Sequence, residues 1–262
     1  MAASETLKIG IIGFGPFGQF LARTMIKQGH TLVATSRSDH SLLCFQLGIP
    51  FFKEFSKFFA SGSDVILLCT SIVSTSDVLS TIPMRDLQKA RLFVDVLSVK
   101  EHPRDLLLQV LPEEVDLLCT HPMFGPESGR DGWEGLPLVY DRVRVRNHGL
   151  CDKFLDVFHQ EGCRMLEMSC EEHDRMTAKT QFLAHTIGRI LDQMKIESTS
   201  IDTKGFQKLL QVKDSSIKDS LDLYIGLYQH NKFARKEMEK LELAFQAVKG
   251  MLMESIINQG SS

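Results

Sequence analysis

Three glycines within six residues, spaced as G-x-G-x-x-G, follow the first apolar run of the chain at residues 7–12. A segment with helical spacing of apolar residues, 17–28, comes directly after them. Between a strand and a helix, the first glycine permits a tight turn, the second lets a pyrophosphate approach the backbone, and the third lets helix and strand pack closely. The helix N-terminus adds free N–H groups and a positive dipole end. An ordinary strand-to-helix turn is the alternative to the predicted dinucleotide-binding turn, which comprises Gly13, Gly15, Pro16, Phe17 and Gly18.

Short, nearly continuous apolar runs recur through the first half of the chain. After the first run, they occupy residues 30–35, 64–69, 92–97 and 115–119. Such runs are typical of strands that are buried on both faces of a parallel sheet. Helices are predicted between them, including 41–47 and 75–80, and a further strand pair is predicted at 138–145 and 164–168. The alternation predicts an α/β fold, with an N-terminal Rossmann-type doubly wound domain.

From residue 170 onward, long amphipathic helices replace the strand pattern. They are predicted at 171–195, 203–211, 220–229 and 232–258. The sequence therefore predicts two domains, a dinucleotide-binding Rossmann domain at 1–169 and an all-α substrate and dimerisation domain at 170–262. Because a helical domain of this size with so much apolar surface often completes its core by self-association, we expect a homodimer.

Charge and cysteine usage argue against several classes of protein. The chain has 30 basic and 33 acidic residues and a formal net charge of -3, which argues against a nucleic-acid or anionic-membrane partner. The six cysteines form no C-x-x-C pair, which indicates a reducing compartment and no metal site. The first predicted strand begins directly after residues 1–6, which start with Met-Ala-Ala and resemble no signal or transit segment. This favours the cytosol, with a trimmed plastid protein as the alternative.

The residues after the second predicted strand bear on which dinucleotide binds. An acidic residue at this point normally holds the adenosine ribose of NAD, whereas this chain has Ser36 followed by Arg37. A hydroxyl does not repel a 2′-phosphate and a guanidinium can bind one with two hydrogen bonds, so NADP is favoured over NAD. The alternatives are that Asp39 covers the ribose, or that Arg37 is a solvated loop cation. The predicted cofactor-binding residues here are Ser36, Arg37, Ser38 and Asp39.

Polar residues follow three of the predicted strands. Thr70 and Ser71 follow the third run, Ser98 follows the fourth, and His121 follows the fifth. Ligands of open α/β sheets bind at the carboxyl ends of the strands, so the first three are predicted to contact the cofactor. A histidine just beyond a strand and held by a following proline is well placed to accept a proton beside a nicotinamide. Of the nine histidines, only His121, after a predicted strand, and His185, on a predicted helix, occupy positions that a predicted element defines in this way.

The predicted helix at 171–195 carries a polar stripe. Thr177, Gln181, His185 and Arg189 are spaced by four residues and therefore share one face of the helix. Periodicity alone leaves two interpretations open, a binding surface and a merely solvated face.

The segment 120–129, Thr-His-Pro-Met-Phe-Gly-Pro-Glu-Ser-Gly, with 132–133 and 135–137, resembles the plant arogenate dehydrogenases of the prephenate/arogenate dehydrogenase family. Segments 36–39, 96–100 and 219–224 match as well, so the resemblance runs from about residue 8 to about residue 250. It implies oxidative decarboxylation, in which arogenate and NADP give tyrosine, carbon dioxide and NADPH. Prephenate dehydrogenase and a non-catalytic dinucleotide sensor are the alternatives.

The resemblance also implies roles for particular residues. His121 accepts the proton of the ring hydroxyl, and Ser98 bonds both this histidine and that hydroxyl. Asp219 recognises the ammonium of arogenate, where prephenate-preferring relatives have an uncharged residue, and an acidic N-cap before a helix is the alternative role. Gln181 and His185 line the substrate side chain and ring carboxylate. Bacterial members bind the substrate carboxylate with an arginine, which has no clear counterpart near 224–226. The sequence at 216–218 differs from that of the usual plant members, which leaves feedback inhibition by tyrosine open.

Overall fold

The computed structural model describes residues 6–259 of the chain. Two compact units are present, one up to His173 and one from Asp174 onward. The division lies four residues after the boundary predicted at 169/170. Within the described residues, no helix is both long and apolar enough to cross a membrane.

The first unit is built on one sheet, which contains eight strands within the described range. The order across the sheet is β3-β2-β1-β4-β5-β6-β7-β8. The first six strands run parallel, β7 is antiparallel to β6, and β8 is parallel to β7. The strands are β1 Lys8–Ile12, β2 Thr31–Thr35, β3 Phe51–Phe52, β4 Val65–Leu68, β5 Leu92–Asp95, β6 Asp116–Pro122, β7 Pro137–Arg144 and β8 Arg164–Glu167.

Helices connect those successive strands that run parallel, as parallel pairing requires. The predicted helices α1, α2 and α4 are present, whereas the sequence analysis did not identify α3, α5, α6, α7 or strand β3. The helices are α1 Pro16–Lys27, α2 Ser41–Gln46, α3 Phe55–Ala60, α4 Thr75–Ser80, α5 Met84–Leu87, α6 Glu101–Val110 and α7 His148–His159.

One prediction about the sheet is wrong in a way that matters for function. The fifth predicted run ends at residue 119, but its strand, β6, continues to Pro122 and is the sixth strand of the chain. His121 therefore lies within the strand, opposite Val139 of β7, and not beyond its end. The antiparallel partner β7 continues the ladder past the last apolar residue, and no pattern within β6 itself reports that pairing.

Helices make up the described part of the second unit, beginning within α8. The helix predicted at 171–195 is interrupted by a π-helical turn at Ala178–Phe182, and the one predicted at 203–211 extends to Lys218. The elements are α8 Cys170–Thr177, the π turn Ala178–Phe182, α9 Leu183–Gln193, α10 Lys204–Lys218, α11 Leu221–Gln229 and α12 Ala234–Gln259.

Candidate functional site

The glycine turn between β1 and α1 has a separate requirement at each glycine. Gly13 has φ +91°, and a Cβ there would lie 2.7 Å from the carbonyl oxygen of Cys69. A Cβ on Gly18 would lie 2.6 Å from the carbonyl oxygen of Gly13, so the third glycine permits close packing. A Cβ on Gly15 would meet no atom within 4 Å. The backbone is therefore open at the position where a pyrophosphate has to approach it, and the turn fits a dinucleotide.

The first turn of α1 carries no side-chain cap. Gly15 is the N-cap residue, and Pro16 occupies the first helical turn. Phe17 is half-buried, and the first intrahelical bond runs from the Gln19 N–H to the Gly15 carbonyl at 2.9 Å. The N–H groups ahead of Gln19 and the positive end of the helix dipole are thus free of a capping side chain, which suits a phosphate group.

The loop after β2 holds the predicted adenosine-side residues. Ser36 is half-buried, whereas Arg37, Ser38 and Asp39 are exposed. The Asp39 carboxylate accepts a hydrogen bond from the Ser41 N–H at 2.9 Å, and this bond is the main reason why the pKa of Asp39 lies below its usual value. Asp39 therefore has a structural role at the start of α2, which weakens the alternative that it covers a ribose.

A second cation, Lys53, lies at this loop and was missed by the sequence analysis. Its Nζ donates to the Arg37 carbonyl at 3.0 Å and to the Ser36 carbonyl at 3.5 Å. Lys53 directly follows β3, which pairs with the end of β2. A strand of two residues carries too little pattern to be identified from sequence, so only the pairing brings this lysine to the loop.

Thr70 and Ser71 follow β4 and lie in a local hydroxyl network. The Thr70 and Thr75 hydroxyls are 2.9 Å apart, and the Thr75 hydroxyl donates to the Ser71 carbonyl at 2.9 Å. The Ser71 and Ser74 hydroxyls are 2.7 Å apart. These bonds hold both predicted residues at the carboxyl end of β4, beside β1, where the strand order reverses and nucleotides bind in such sheets.

His121 is buried, and its main polar contact is a second histidine. The His121 side chain is on β6, with only 3% of the residue exposed, and its Nδ1 lies 2.7 Å from Nε2 of His173. Ser98, predicted to bond His121, is half-buried in the loop after β5 and makes no hydrogen bond to it within the described part of the chain. His173 was not singled out from the sequence, because it belongs to α8, 52 residues later.

Burial is the largest cause of a pKa for His121 that lies well below the usual value, and nearby His173 and Lys100 lower it further. An imidazole with a lowered pKa is uncharged at neutral pH. His121 can therefore accept a proton under conditions in which a solvated histidine would be partly protonated.

A buried ion pair fixes the loop that carries Ser98. Lys100 is 1% exposed and its Nζ donates to the carboxylate of Asp95 and, at 2.6 Å, to the Thr120 carbonyl. The Thr120 hydroxyl donates to the Asp95 carbonyl at 2.7 Å. These bonds tie the end of β5 to the residue that precedes His121. The run Val-Leu-Ser-Val-Lys at 96–100 was part of the predicted resemblance, but nothing in it indicates that its lysine is buried.

An aromatic cluster holds the segment that follows His121. The Trp133 ring centroid lies 5.3 Å from that of Phe124, 5.5 Å from that of Phe20 and 5.4 Å from that of Phe158. A Cβ on Gly129 would lie 2.7 Å from the Phe20 ring, so glycine permits this packing. The motif at 120–133 therefore packs onto α1, the helix of the glycine turn, and onto α7.

In the second unit, helices α9 and α10 approach closely near the predicted substrate-binding residues. A Cβ on Gly188 would lie 2.2 Å from the Ser216 hydroxyl, which donates to the Ala184 carbonyl at 3.3 Å. This contact brings the end of α10 to α9, and Oδ2 of Asp219 lies 3.6 Å from Nε2 of His185. Two of the three predicted substrate-binding residues are thus neighbours.

Asp219 is not the N-cap of α11. The Ser220 hydroxyl accepts the hydrogen bond from the Leu223 N–H at 3.1 Å and caps that helix, whereas Asp219 ends α10. The alternative role proposed for Asp219 is therefore wrong, because the adjacent serine already performs it. Its carboxylate remains available for another partner.

The polar stripe is largely buried, so the interpretation as a solvated face is wrong. Thr177 and His185 are buried, and Gln181 and Arg189 are half-buried. Burial lowers the pKa of His185, with Asp219 opposing this effect and Arg189 adding to it. Gln181 lies in the π turn, a feature that frequently occurs at functional sites.

Three side-chain atoms on this stripe are buried without a hydrogen-bond partner among the described residues: Gln181 Oε1, His185 Nδ1 and Arg189 Nε. Leaving a buried polar atom unpaired costs about 1–3 kcal/mol. Three such atoms on one stripe leave hydrogen-bonding capacity that suits a polar ligand.

Arg189, the last residue of the predicted polar stripe, contacts the segment that contains Asp219. Its Nη2 donates to the Asp219 carbonyl at 3.0 Å and the Ser220 carbonyl at 3.3 Å, and its guanidinium lies 5.0 Å from the Tyr224 ring centroid. This contact joins α9 to a residue 30 positions later in the chain. Spacing along the chain carries no signal for such a contact.

Comparisons with known proteins agree with this description. Residues 8–99 match the family model described as NADP oxidoreductase coenzyme F420-dependent, and residues 190–261 match that described as TYRAAT1-like, C-terminal domain. Prephenate dehydrogenase from A. aeolicus, solved with hydroxyphenyl propionate and NAD+, has a TM-score of 0.73 at 17% identity and covers 96% of this chain and 92% of that one. Synechocystis arogenate dehydrogenase has a TM-score of 0.68 at 18% identity and covers 95% and 93%. The predicted Rossmann-type α/β fold followed by a helical part is confirmed.

Two plant proteins are much more similar in sequence. The chain is 51% identical over 259 residues to "Arogenate dehydrogenase 1, chloroplastic" of Arabidopsis thaliana, and 47% identical over 260 residues to "Arogenate dehydrogenase 2, chloroplastic" of the same plant. The alignments cover 97% and 98% of this chain, which spans 40% of the length of the first relative and 73% of the second. This similarity confirms the predicted resemblance, and the chain belongs to the arogenate dehydrogenase family of nucleotide-dependent oxidoreductases.

Proposed function

We propose that this chain is an NADP-dependent arogenate dehydrogenase, which converts L-arogenate and NADP to L-tyrosine, carbon dioxide and NADPH. The observation that carries the proposal is His121, a buried imidazole with a lowered pKa near the carboxyl end of a sheet strand. The dinucleotide turn after β1 lies at the same edge of the sheet, because β1, β4, β5 and β6 run parallel. Family membership supports the choice of substrate.

The glycine turn and the loop after β2 would hold the cofactor. Gly13, Gly15 and Gly18 would cradle the pyrophosphate at the start of α1, and Arg37 with Lys53 would meet the 2′-phosphate that distinguishes NADP from NAD. When bound, the oxidised nicotinamide supplies a hydride acceptor for the ring carbon that bears the hydroxyl. Ser36, Ser38, Thr70 and Ser71 remain predicted cofactor contacts.

His121 would take the proton of the ring hydroxyl as the hydride leaves the same carbon. The O–H bond breaks, an N–H bond forms on the imidazole, and the ring carbon becomes a carbonyl carbon. The bond to the ring carboxylate then breaks, and its electron pair passes through the ring to the oxygen, which regains a proton as a phenol. Ser98 would hold the hydroxyl in place. Aromatisation drives the loss of carbon dioxide, so the chain supplies mainly positioning.

The second unit would select the amino acid tail of the substrate. Asp219 would attract the ammonium of arogenate and repel prephenate, which has a keto oxygen in place of the ammonium. The unpartnered buried atoms of this stripe suit both groups of the tail: the Arg189 Nε–H would donate to a carboxylate, as would His185 Nδ1 when it carries the hydrogen, and Gln181 Oε1 would accept from the ammonium. An opposite charge pair at one subsite suits a zwitterion better than an anion.

The decisive experiment measures the formation of NADPH or NADH by the purified chain, with arogenate and prephenate side by side, each with NADP and with NAD. We expect the highest kcat/KM for arogenate with NADP. A higher kcat/KM for prephenate would make the chain a prephenate dehydrogenase. NADP binding without turnover of either substrate would make it a dinucleotide sensor and refute the proposal.

The exposed apolar side chains of α12 support a homodimer formed through the helical unit. Leu243 is 70% exposed and Met251 is 69% exposed, with Phe245 and Ile256 each at 65%. Exposed apolar surface of this extent on a helix is typical of an interface. Light scattering after gel filtration should give twice the mass of the chain. Binding of tyrosine as a feedback ligand and a cytosolic location stay predictions.

A further inference from the structure

Two buried imidazoles in the first unit form a direct pair. His121 Nδ1 and His173 Nε2 are 2.7 Å apart, the ring planes are inclined by 63°, and the residues are 3% and 1% exposed. At this distance one nitrogen must carry a hydrogen and the other a lone pair. The pair therefore couples the tautomer of His121 to that of His173.

Both histidines lie on elements that are bonded to strand β7. His121 lies in the β6 ladder opposite Val139 of β7. At the start of α8, the Cys170 N–H donates to the carboxylate of Asp141, also on β7, at 2.8 Å, and the His173 N–H donates to the Ser169 carbonyl at 3.0 Å. Strand β7 thus sets the position of both rings.

We propose that His173 is a positioning residue that accepts the Nδ1 proton of His121 and so keeps Nε2 of His121 as the proton acceptor for the ring hydroxyl. This inference rests on the proposed function. When the hydroxyl proton moves to Nε2, the Nδ1–H bond to His173 stays in place. The ring therefore does not have to turn or change tautomer during the reaction.

The charged and titratable groups around His121 are consistent with this role. Lys100, on the loop after β5, lowers the pKa of His121, and its own charge is balanced by Asp95. His173, on α8, lowers the pKa of His121 as well, because two adjacent imidazoles repel each other when both are charged. The neutral form of His121 is thus favoured.

The test compares His173→Gln with His173→Leu. A glutamine oxygen can still accept a hydrogen bond from Nδ1–H, whereas leucine cannot. Neither side chain can become charged. We expect His173→Leu to lower kcat by about 10²-fold, with the KM for both substrates within about twofold, and His173→Gln to keep most of kcat. We also expect the acidic limb of kcat/KM in His173→Gln to move to higher pH, because the repulsion by a second imidazolium is gone.

His30 offers a matched control in the same unit. It is a buried histidine just before β2, and its Nδ1 accepts the Leu7 N–H at 3.1 Å. His30→Asn should lower the melting temperature and leave kcat and the acidic limb unchanged.

Tautomers seen by ¹⁵N NMR of the histidine-labelled chain provide a readout that does not depend on turnover. We expect a protonated Nδ1 and a bare Nε2 for His121 in the wild type, and a mixture in His173→Leu. A protonated Nε2 in the wild type, or equal losses of kcat in both variants with an unmoved acidic limb, would overturn the inference. If the wild type shows this tautomer and turns over neither substrate, the proposed function fails and the positioning role does not.

Discussion

Asp219→Asn tests whether one carboxylate decides the choice of substrate. The change keeps the size of the side chain and removes its charge. Two unit charges about 4 Å apart interact by about 4 kcal/mol at an effective dielectric constant near 20 and by about 1 kcal/mol in bulk water. Because the Asp219 side chain is 51% exposed, screening places the expected loss at about 1–2 kcal/mol, which corresponds to about 5–30-fold in kcat/KM for arogenate.

The same substitution should raise kcat/KM for prephenate, since it removes the repulsion of an anion. The assay is NADPH formation with both substrates over a range of concentrations, so that KM and kcat are obtained separately. Most of the change should be in KM, because the tail of the substrate does not react. Asp222→Asn is the matched control, as it removes an exposed acid in the first turn of α11 without touching Asp219. An unchanged ratio of the two kcat/KM values in Asp219→Asn, or an equal change in the control, would refute the reasoning.

Four further predictions concern the first unit. Arg37→Ala should weaken the binding of NADP by at least about tenfold and that of NAD far less, because a charge-assisted bond to the 2′-phosphate contributes about 1.5–3 kcal/mol. Equal losses of affinity for NADP and NAD in a binding titration would show that Arg37 does not contact the 2′-phosphate. Gly18→Ala should destabilise the fold by about 1–3 kcal/mol in urea unfolding through the clash with the Gly13 carbonyl, whereas Gly15→Ala, with room for a Cβ and φ -73°, should stay folded and bind the cofactor weakly. In the pH profile of kcat/KM, the acidic limb should lie below about pH 6.5, the pKa of an unfolded histidine, because the pKa of folded His121 is lowered. The same shift means that the folded chain binds fewer protons, so the stability due to His121 is complete above about pH 6.5 and is lost as the pH falls through the folded pKa, which melting curves against pH can check.

Much of the first unit could be predicted because its signals are local. The glycine spacing, the continuous apolar runs and the helical periodicity each depend on neighbours a few residues away, and backbone sterics and burial act over that range. The glycine turn, the parallel strands and the position of Ser98 in the loop after β5 follow from such patterns. Short elements such as β3 and α5 were missed, because two or four residues carry too little periodicity to be distinguished from a loop.

The contacts that refine the site come from residues far apart in the chain, and only the tertiary structure decided them. Lys53 reaches the loop after β2 through strand pairing, His173 reaches His121 from α8, and Arg189 reaches the end of α10 from α9. Tertiary packing also decided that β6 continues through His121 and that Ser220, not Asp219, caps α11. By itself, the sequence determined which residue types are available and on which local element each one lies. Which of them meet depends on the packing of elements against each other, because hydrogen bonds and charges act through distance in space and not through separation along the chain.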